Sequence, residues 1–413
     1  MLVTQLTQRV WIIFFLGGWI VTAYQAAADE RNFGEDATFL AEHEETIILG
    51  ESPGGPRVAI VAAYQGRVMT STASGKGGNS YGWINYGLIE SGKQVPQIHV
   101  YGGEERFWLG PEGGQFSIFF AAGTKFDFAE WRTPPVIDTE PFAVVNKSSR
   151  RAAFRHEAEL TNYAGTRFAF RIERDVELLD AEAIRSALDL GDVPLTAVAY
   201  RTTNRLTNIG KKDWSKQTGL LSIWMLGMYK HGPKTTVVIP FNNGGESKLG
   251  PVVNDDYFGK VPPSRLRVAD GILFFAADGQ YRSKIGISPR RSTPLCGSYD
   301  AARGVLTIVQ YNKPAAAVTD YVNSKWELQE QPFAGDVINA YNDGPAEPGA
   351  QPLGPFYELE TSSPALPLAS GASGTHIQTT FHFEGDLKQL DAIARKTLGV
   401  SLAEIEAGLK VGK

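Results

Sequence analysis

Ten short apolar segments, closed off by Gly, Asn, Asp or Pro, recur along almost the whole chain after residue 50. They read RVAIVAAY, QFSIFFAAG, TRFAFRIERDVEL, TAVAYRTTNRLT, TTVVIPF, ILFFAAD, GVLTIVQYN, DVINAYN, FYELET and HIQTTFHF. β-Branched and aromatic residues between turn formers favour strands. No helical stretches of useful length alternate with them, which excludes a parallel α/β sheet. The pattern predicts an all-β fold of antiparallel sheets stacked as a sandwich.

Helix is expected mainly at the end. Asp386 is placed to cap LKQLDAIARKTL, in which Leu387, Leu390, Ile393 and Leu398 fall near helical spacing. Ser401 and Glu404 form a capping-box pattern for a second short helix, giving a C-terminal helical hairpin.

At the other end, Arg9 precedes the apolar run VWIIFFLGGWIVTA, and AAADE follows. This is the layout of a secretory leader cleaved near Ala28. The run is shorter than the roughly 20 residues of a membrane span. The expected organisation is a signal peptide over 1–28, a β-sandwich over 29–385 and a helical segment over 386–413. After cleavage the expectation is a protein free of the membrane, in a bacterial periplasm or secreted. A formal charge of −5 without a basic run gives no footprint for nucleic acid. Cys296 is the only cysteine, so no intramolecular disulfide can form; without a nearby His it reads as a packed residue.

Two catalytic patterns fail on context. GESPG at 50–54 fits a nucleophile elbow in letters, but a strand follows where a helix is required. SGKGGNS at 74–80 lacks the first glycine and the Ser or Thr of a phosphate loop. His376 and His382 are separated by about 20 Å of strand, too far to share an ion. Neither a metal nor a cofactor is expected.

What remains is polar alternation. Glu358 and Glu360 share one strand face, and His376, Gln378, Thr380, His382 and Glu384 share another. The second row lacks Lys and Arg and follows a Pro/Gly loop, DGPAEPGAQPLGP at 343–355, so both rows are expected to face a cleft. Glycine-rich stretches add Trp, Tyr, Arg and acids. One, HVYGGEERFWLGPEGGQFS, contains His99, Arg106, Trp108 and Glu112; another, ADGQYRSKIG, contains Arg282 and Lys284. Aromatic faces and charged groups together suit sugar recognition, since pyranose C–H surfaces stack and hydroxyls bond directionally. Core packing of the tryptophans with satisfied edge charges explains the same residues.

LETSSPALPL with SGASGTHIQTTFHF resembles the C-terminal signature of aldose 1-epimerases and their galactose-mutarotase-like relatives. AYRTTNRLTNIGKKDWSKQTGLLSIW is similar to that superfamily's central hairpin, and VYGGEERFWLGPEGG to a stretch in its less-studied, exported bacterial branches. The resemblance implies a β-supersandwich with a sugar-binding cleft. It implies Glu360 as general base, Trp224 where the family has its acid, and His99 as a substrate contact. His156, His376 or His382 would then have to supply the missing acid. Arg106, Trp108, Glu112, Trp224, Arg282, Lys284 and Glu358 complete the expected substrate-binding set. The expected partner is a mono- or oligosaccharide. A non-catalytic carbohydrate-binding or periplasmic interaction module is the alternative.

Overall fold

Period-two burial is written along the long strands. In Arg167–Leu178, Phe168, Phe170, Ile172, Arg174, Val176 and Leu178 are buried, while the residues that alternate with them are half-buried or exposed. Such a strand needs an apolar layer on one side only. In the computed structural model, which describes residues 31–346 and 349–410, that layer is a second sheet. The leader read at residues 1–28 lies outside the described residues.

All strand pairing between the named strands is antiparallel. The large sheet has ten strands, in the order Leu266–Ala269, Ile272–Ala276, Thr235–Pro240, Leu295–Asp300, Val305–Tyr311, Ser373–Glu384, Thr196–Asn208, Arg167–Leu178, Arg151–Thr161 and Ala143–Lys147. Five strands form the facing sheet: Ser283–Ile287, Ile338–Asn342, Phe356–Ser362, Ser222–Lys230 and Arg106–Gly110. A three-stranded sheet, Thr46–Leu49, Arg57–Val61 and Arg67–Thr72, completes the fold. Ile285, Ile338, Ala340 and Leu359 from the smaller sheet meet Val237, Leu273, Phe275 and Val309 from the larger in one core cluster. The fold is therefore an all-β sandwich, as the sequence pattern requires.

The strand Ser373–Glu384 is covered on both faces. Phe381 and Phe383 lie under the C-terminal helices Leu387–Leu398 and Leu402–Ala407, with Leu390, Ile393, Leu398, Leu402 and Ile405. Each such buried side chain stabilises by about 1.5–3 kcal/mol, which fixes the hairpin to the sheet. Asp386 accepts from the Lys388 and Gln389 amides, and Ser401 and Glu404 close the expected capping box. Leu387 departs from the pattern: in the first turn it is 60% exposed.

QFSIFFAAG is not a strand. Residues 111–134 form an irregular covering segment, and Phe119 packs against Trp108 and Trp131 with ring centroids 5.3 and 5.7 Å apart. Aromatic packing onto a finished sheet buries this run without a ladder. The helix Phe33–His43, capped reciprocally by Asn32 and Glu35, and Ala181–Leu188, capped by Asp180, lie outside the expected C-terminal helical region. No helix among the described residues is long and apolar enough to cross a membrane.

Candidate functional site

Tyr357 and Leu359 enter the core between the sheets, so the pleat sends Glu358 and Glu360 to the outer face of the five-stranded sheet. Register supplies their neighbours. Glu360 lies opposite Asn339 and Leu226, Glu358 opposite Tyr341 and Met228, Lys284 opposite Tyr341, and Trp108 opposite Trp224. Five sequence segments thus deliver their side chains to one face.

The geometry is ionic and aromatic together. Arg106 Nη2 donates to Glu358 Oε1 at 2.6 Å, and its guanidinium lies 4.4 Å from the Trp108 ring. Lys284 Nζ is 3.0 Å from both oxygens of Glu360, with its hydrogen bond directed to Oε2. Trp224 Nε1 donates to the same Oε2 at 2.9 Å, and Trp108 and Trp224 meet edge to face at 5.5 Å. Glu360 is fully buried, at 0% exposure. Burial raises the Glu358 carboxyl to about 7 although Arg106 opposes it, and the neighbouring Glu360 adds to the rise. Burial also holds Glu112 above its ordinary value; Lys284 opposes this, and Glu360 reinforces it.

Loops roof this face. Tyr257 donates to Asp336 at 2.7 Å, with its ring 5.6 Å from Lys284 Nζ. Phe258 lies 4.3 Å from the Arg282 guanidinium. Asp256 and Lys325 join two of these loops through an ion pair at 3.2 Å. Asp343 accepts from the Tyr341 hydroxyl at 2.6 Å and from the Gly354 amide at 2.8 Å, tying down both ends of the Pro/Gly loop. Burial raises the carboxyls of Asp336 and Asp343.

The histidine row does not join this face. His376, Gln378 and His382 point inward, between the two sheets, while Glu358 and Glu360 point outward from the sheet they would have to cross. Thr361 donates to Gln378 Oε1 at 2.6 Å, and His376 Nε2 bonds the same hydroxyl at 2.7 Å. Gln378 also donates to Glu105 at 2.9 Å, and His382 Nε2 lies 3.2 Å from Glu104. Burial pushes the His376 imidazole down to about 3. Glu384 leaves the row and accepts from Ser74 and Asn79. The expectation of one shared cleft therefore fails, because alternation fixes which residues share a face but not which layer that face meets. A His376–Glu360 or His382–Glu360 acid–base pair has no geometric basis in this arrangement.

Of the other expected residues, Arg106, Trp108, Trp224, Lys284 and Glu358 surround Glu360. Glu112 interacts electrostatically with this group, and Arg282 lies under Phe258 near Asp343. His99 is occupied elsewhere: its Nε2 accepts from the Val95 amide at 2.9 Å, which leaves Nδ1 to donate to Asp138 at 2.7 Å. Sequence reasoning missed Tyr257, Phe258, Asp336, Tyr341 and Asp343 as contributors; only the composition of the 343–355 loop signalled any of them. Among the described residues no group of three His, Cys, Asp or Glu is set to hold a metal ion.

An antiparallel β-sandwich carrying a roofed cluster of paired carboxylates, cations and tryptophans defines the class. The chain belongs to the family described as "Family of unknown function (DUF6786)", whose profile matches residues 31–409. No curated protein matches it. Three similar solved structures are the Slr1438 protein from Synechocystis sp. PCC 6803, a galactose mutarotase-like protein from Lactobacillus casei ATCC 334, and a galactose mutarotase related enzyme from Lactobacillus acidophilus. The first is 14% identical, covering 83% of this chain and 96% of its own, with a TM-score of 0.49. The second is 12% identical, covering 82% and 99%, at 0.45. The third is 7% identical, covering 82% and 97%, at 0.44.

Proposed function

We propose that this protein binds a carbohydrate over the outer face of the five-stranded sheet. One observation carries the reading: Arg106–Glu358 and Lys284–Glu360 lie side by side with Trp108 and Trp224 on a single face. Paired ions present donors and acceptors in fixed directions, and the indole faces suit C–H stacking. A ligand reaches them when the roof loops part; the exposed Asp256–Lys325 pair that joins two of these loops is a weak restraint. We further propose export through a leader at 1–28, a reading supported by the apolar run that follows Arg9; fractionation of the native host tests it.

Acid–base chemistry is the second reading, favoured by Glu112. Burial raises the Glu112 carboxyl and the nearby charge of Glu360 reinforces the rise, so Glu112 would serve as proton donor and Glu360 as acceptor. Glu360 would then act as base once a ligand displaced Lys284.

The test is thermal denaturation against neutral sugars, uronic acids and oligosaccharides. A ligand at 100 times its dissociation constant adds about 2.7 kcal/mol. A selective shift, abolished in Glu360→Gln and weakened in Trp224→Phe, supports binding here; no shift across the panel rejects it. Turnover of that ligand, lost in both Glu360→Gln and Glu112→Gln while binding survives in the latter, would establish the second reading.

A further inference from the structure

We propose that Arg282 is an anion subsite, and that the bound carbohydrate is an acidic one bearing a carboxylate. This rests on the reading that the outer face binds sugar and narrows its ligand class.

The inference starts from an asymmetry among the three cations of the face. Arg106 and Lys284 each hold a carboxylate, Glu358 and Glu360. Arg282 is half-buried and its guanidinium ion-pairs with no carboxylate among the described residues; its Nε, like that of Arg106, is shielded from water without a hydrogen-bond partner. A guanidinium carries five donors in a planar fork suited to a carboxylate, so a shielded Nε stays unsatisfied until an acceptor arrives.

Asp343, the carboxyl that acts on Arg282 electrostatically, is already committed. Its Oδ1 takes the Tyr341 hydroxyl and its Oδ2 the Gly354 amide, and burial raises its carboxyl. What covers Arg282 instead is the ring of Phe258, at 4.3 Å. Phe258 is itself 47% exposed and is followed by Gly259 at φ +90°, a backbone conformation that glycine adopts cheaply. A cation–π contact of this kind is weaker than the bond an ionised acceptor makes to a guanidinium. A ligand carboxylate therefore displaces Phe258 from the guanidinium, while the sugar ring reaches towards Trp108 and Trp224. Neutral sugars gain only the second half of this contact.

The experiment measures binding to the whole mature chain by calorimetry. The probes are oligomers of glucuronic, galacturonic, mannuronic and guluronic acid, alongside their carboxyl-reduced neutral counterparts and sodium acetate. The expected result is preference for an acidic oligomer by about tenfold or more over its neutral counterpart. That preference should vanish in Arg282→Gln, persist in part in Arg282→Lys, and shrink in 0.5 M salt. Unchanged ligand-free melting of Arg282→Gln shows that the fold is intact; if that variant melts early, Arg282→Lys and the salt series decide. Equal affinity for acidic and neutral oligomers leaves the sugar site standing and overturns the anion subsite. Binding of acetate as tight as that of the oligomers overturns it as well, by showing an unselective cation. No binding of any oligomer rejects the sugar site and this inference together.

Discussion

The protein buries two ionic layers, one on each side of its smaller sheet, and they are built on opposite plans. In the inner layer Arg174 donates to Glu105, to Asn204 and to the Gly66 carbonyl, while Glu105 also takes Gln378. Glu104 takes the amide and hydroxyl of Ser71 and lies beside His382. Its charges are saturated by the fold itself. The outer layer holds a guanidinium at Arg282 that pairs with no carboxylate among the described residues, and a roof fastened in part by exposed contacts; burial raises carboxyls in both layers, Glu105 in the inner and Glu358, Glu112, Asp336 and Asp343 in the outer. Saturation makes a buried polar layer a device for register and rigidity, whereas incomplete satisfaction leaves capacity for a ligand.

The most damaging way to break this comparison is at the inner pair. Arg174→Met is expected to destabilise by about 3–5 kcal/mol, because it strands Glu105 in the interior. Chemical denaturation measures it, and a loss below about 1 kcal/mol would remove the structural role assigned to the layer.

Next in size is pH, where the two layers pull in opposite directions. His376 titrates near 3 when folded against 6.5 for the free side chain, so its contribution is complete above 6.5 and is lost as pH falls towards 3. Glu358 titrates near 7 against 4.5, so its contribution is complete below 4.5 and is lost as pH rises through 7. Each limb is on the order of a few kcal/mol. Melting curves from pH 4 to 8 should lose the acid limb in His376→Gln and the alkaline limb in Glu358→Gln. If both variants keep the wild-type profile, other groups govern it.

The smallest effect sharpens the outer side. Lys325→Ala is expected to cost less than about 1 kcal/mol. It should nonetheless quicken ligand association in stopped flow, since it unfastens two roof loops. An unchanged association rate would mean that those loops are not the route of access.

The strands and C-terminal caps were legible because they are local: alternation, turn residues and Asp386 or Ser401 act within a few positions. The same logic was available at Asn32 and Glu35, a capping pair at the start of Phe33–His43. At the site, the common face of Glu358 and Glu360 was legible from period two. The absence of Lys and Arg from the histidine row was read as a cleft-facing surface, but His376, Gln378 and His382 are buried between the sheets instead. That Trp224 meets Glu360, 136 positions away, follows from sheet order and register, which no local pattern encodes.

One feature of the large sheet bears on how the protein is made. Its halves, residues 143–208 and 235–311, are joined by Ser373–Glu384, a strand synthesised almost last. Phe356–Ser362 bridges the smaller sheet in the same way, between Ile338–Asn342 and Ser222–Lys230. A nascent chain lacking these segments has open edges in both sheets and cannot yet close either ladder. Pulse-labelled chains ending before residue 356 should therefore remain protease-sensitive, with resistance arriving only when the last two strands close the ladders.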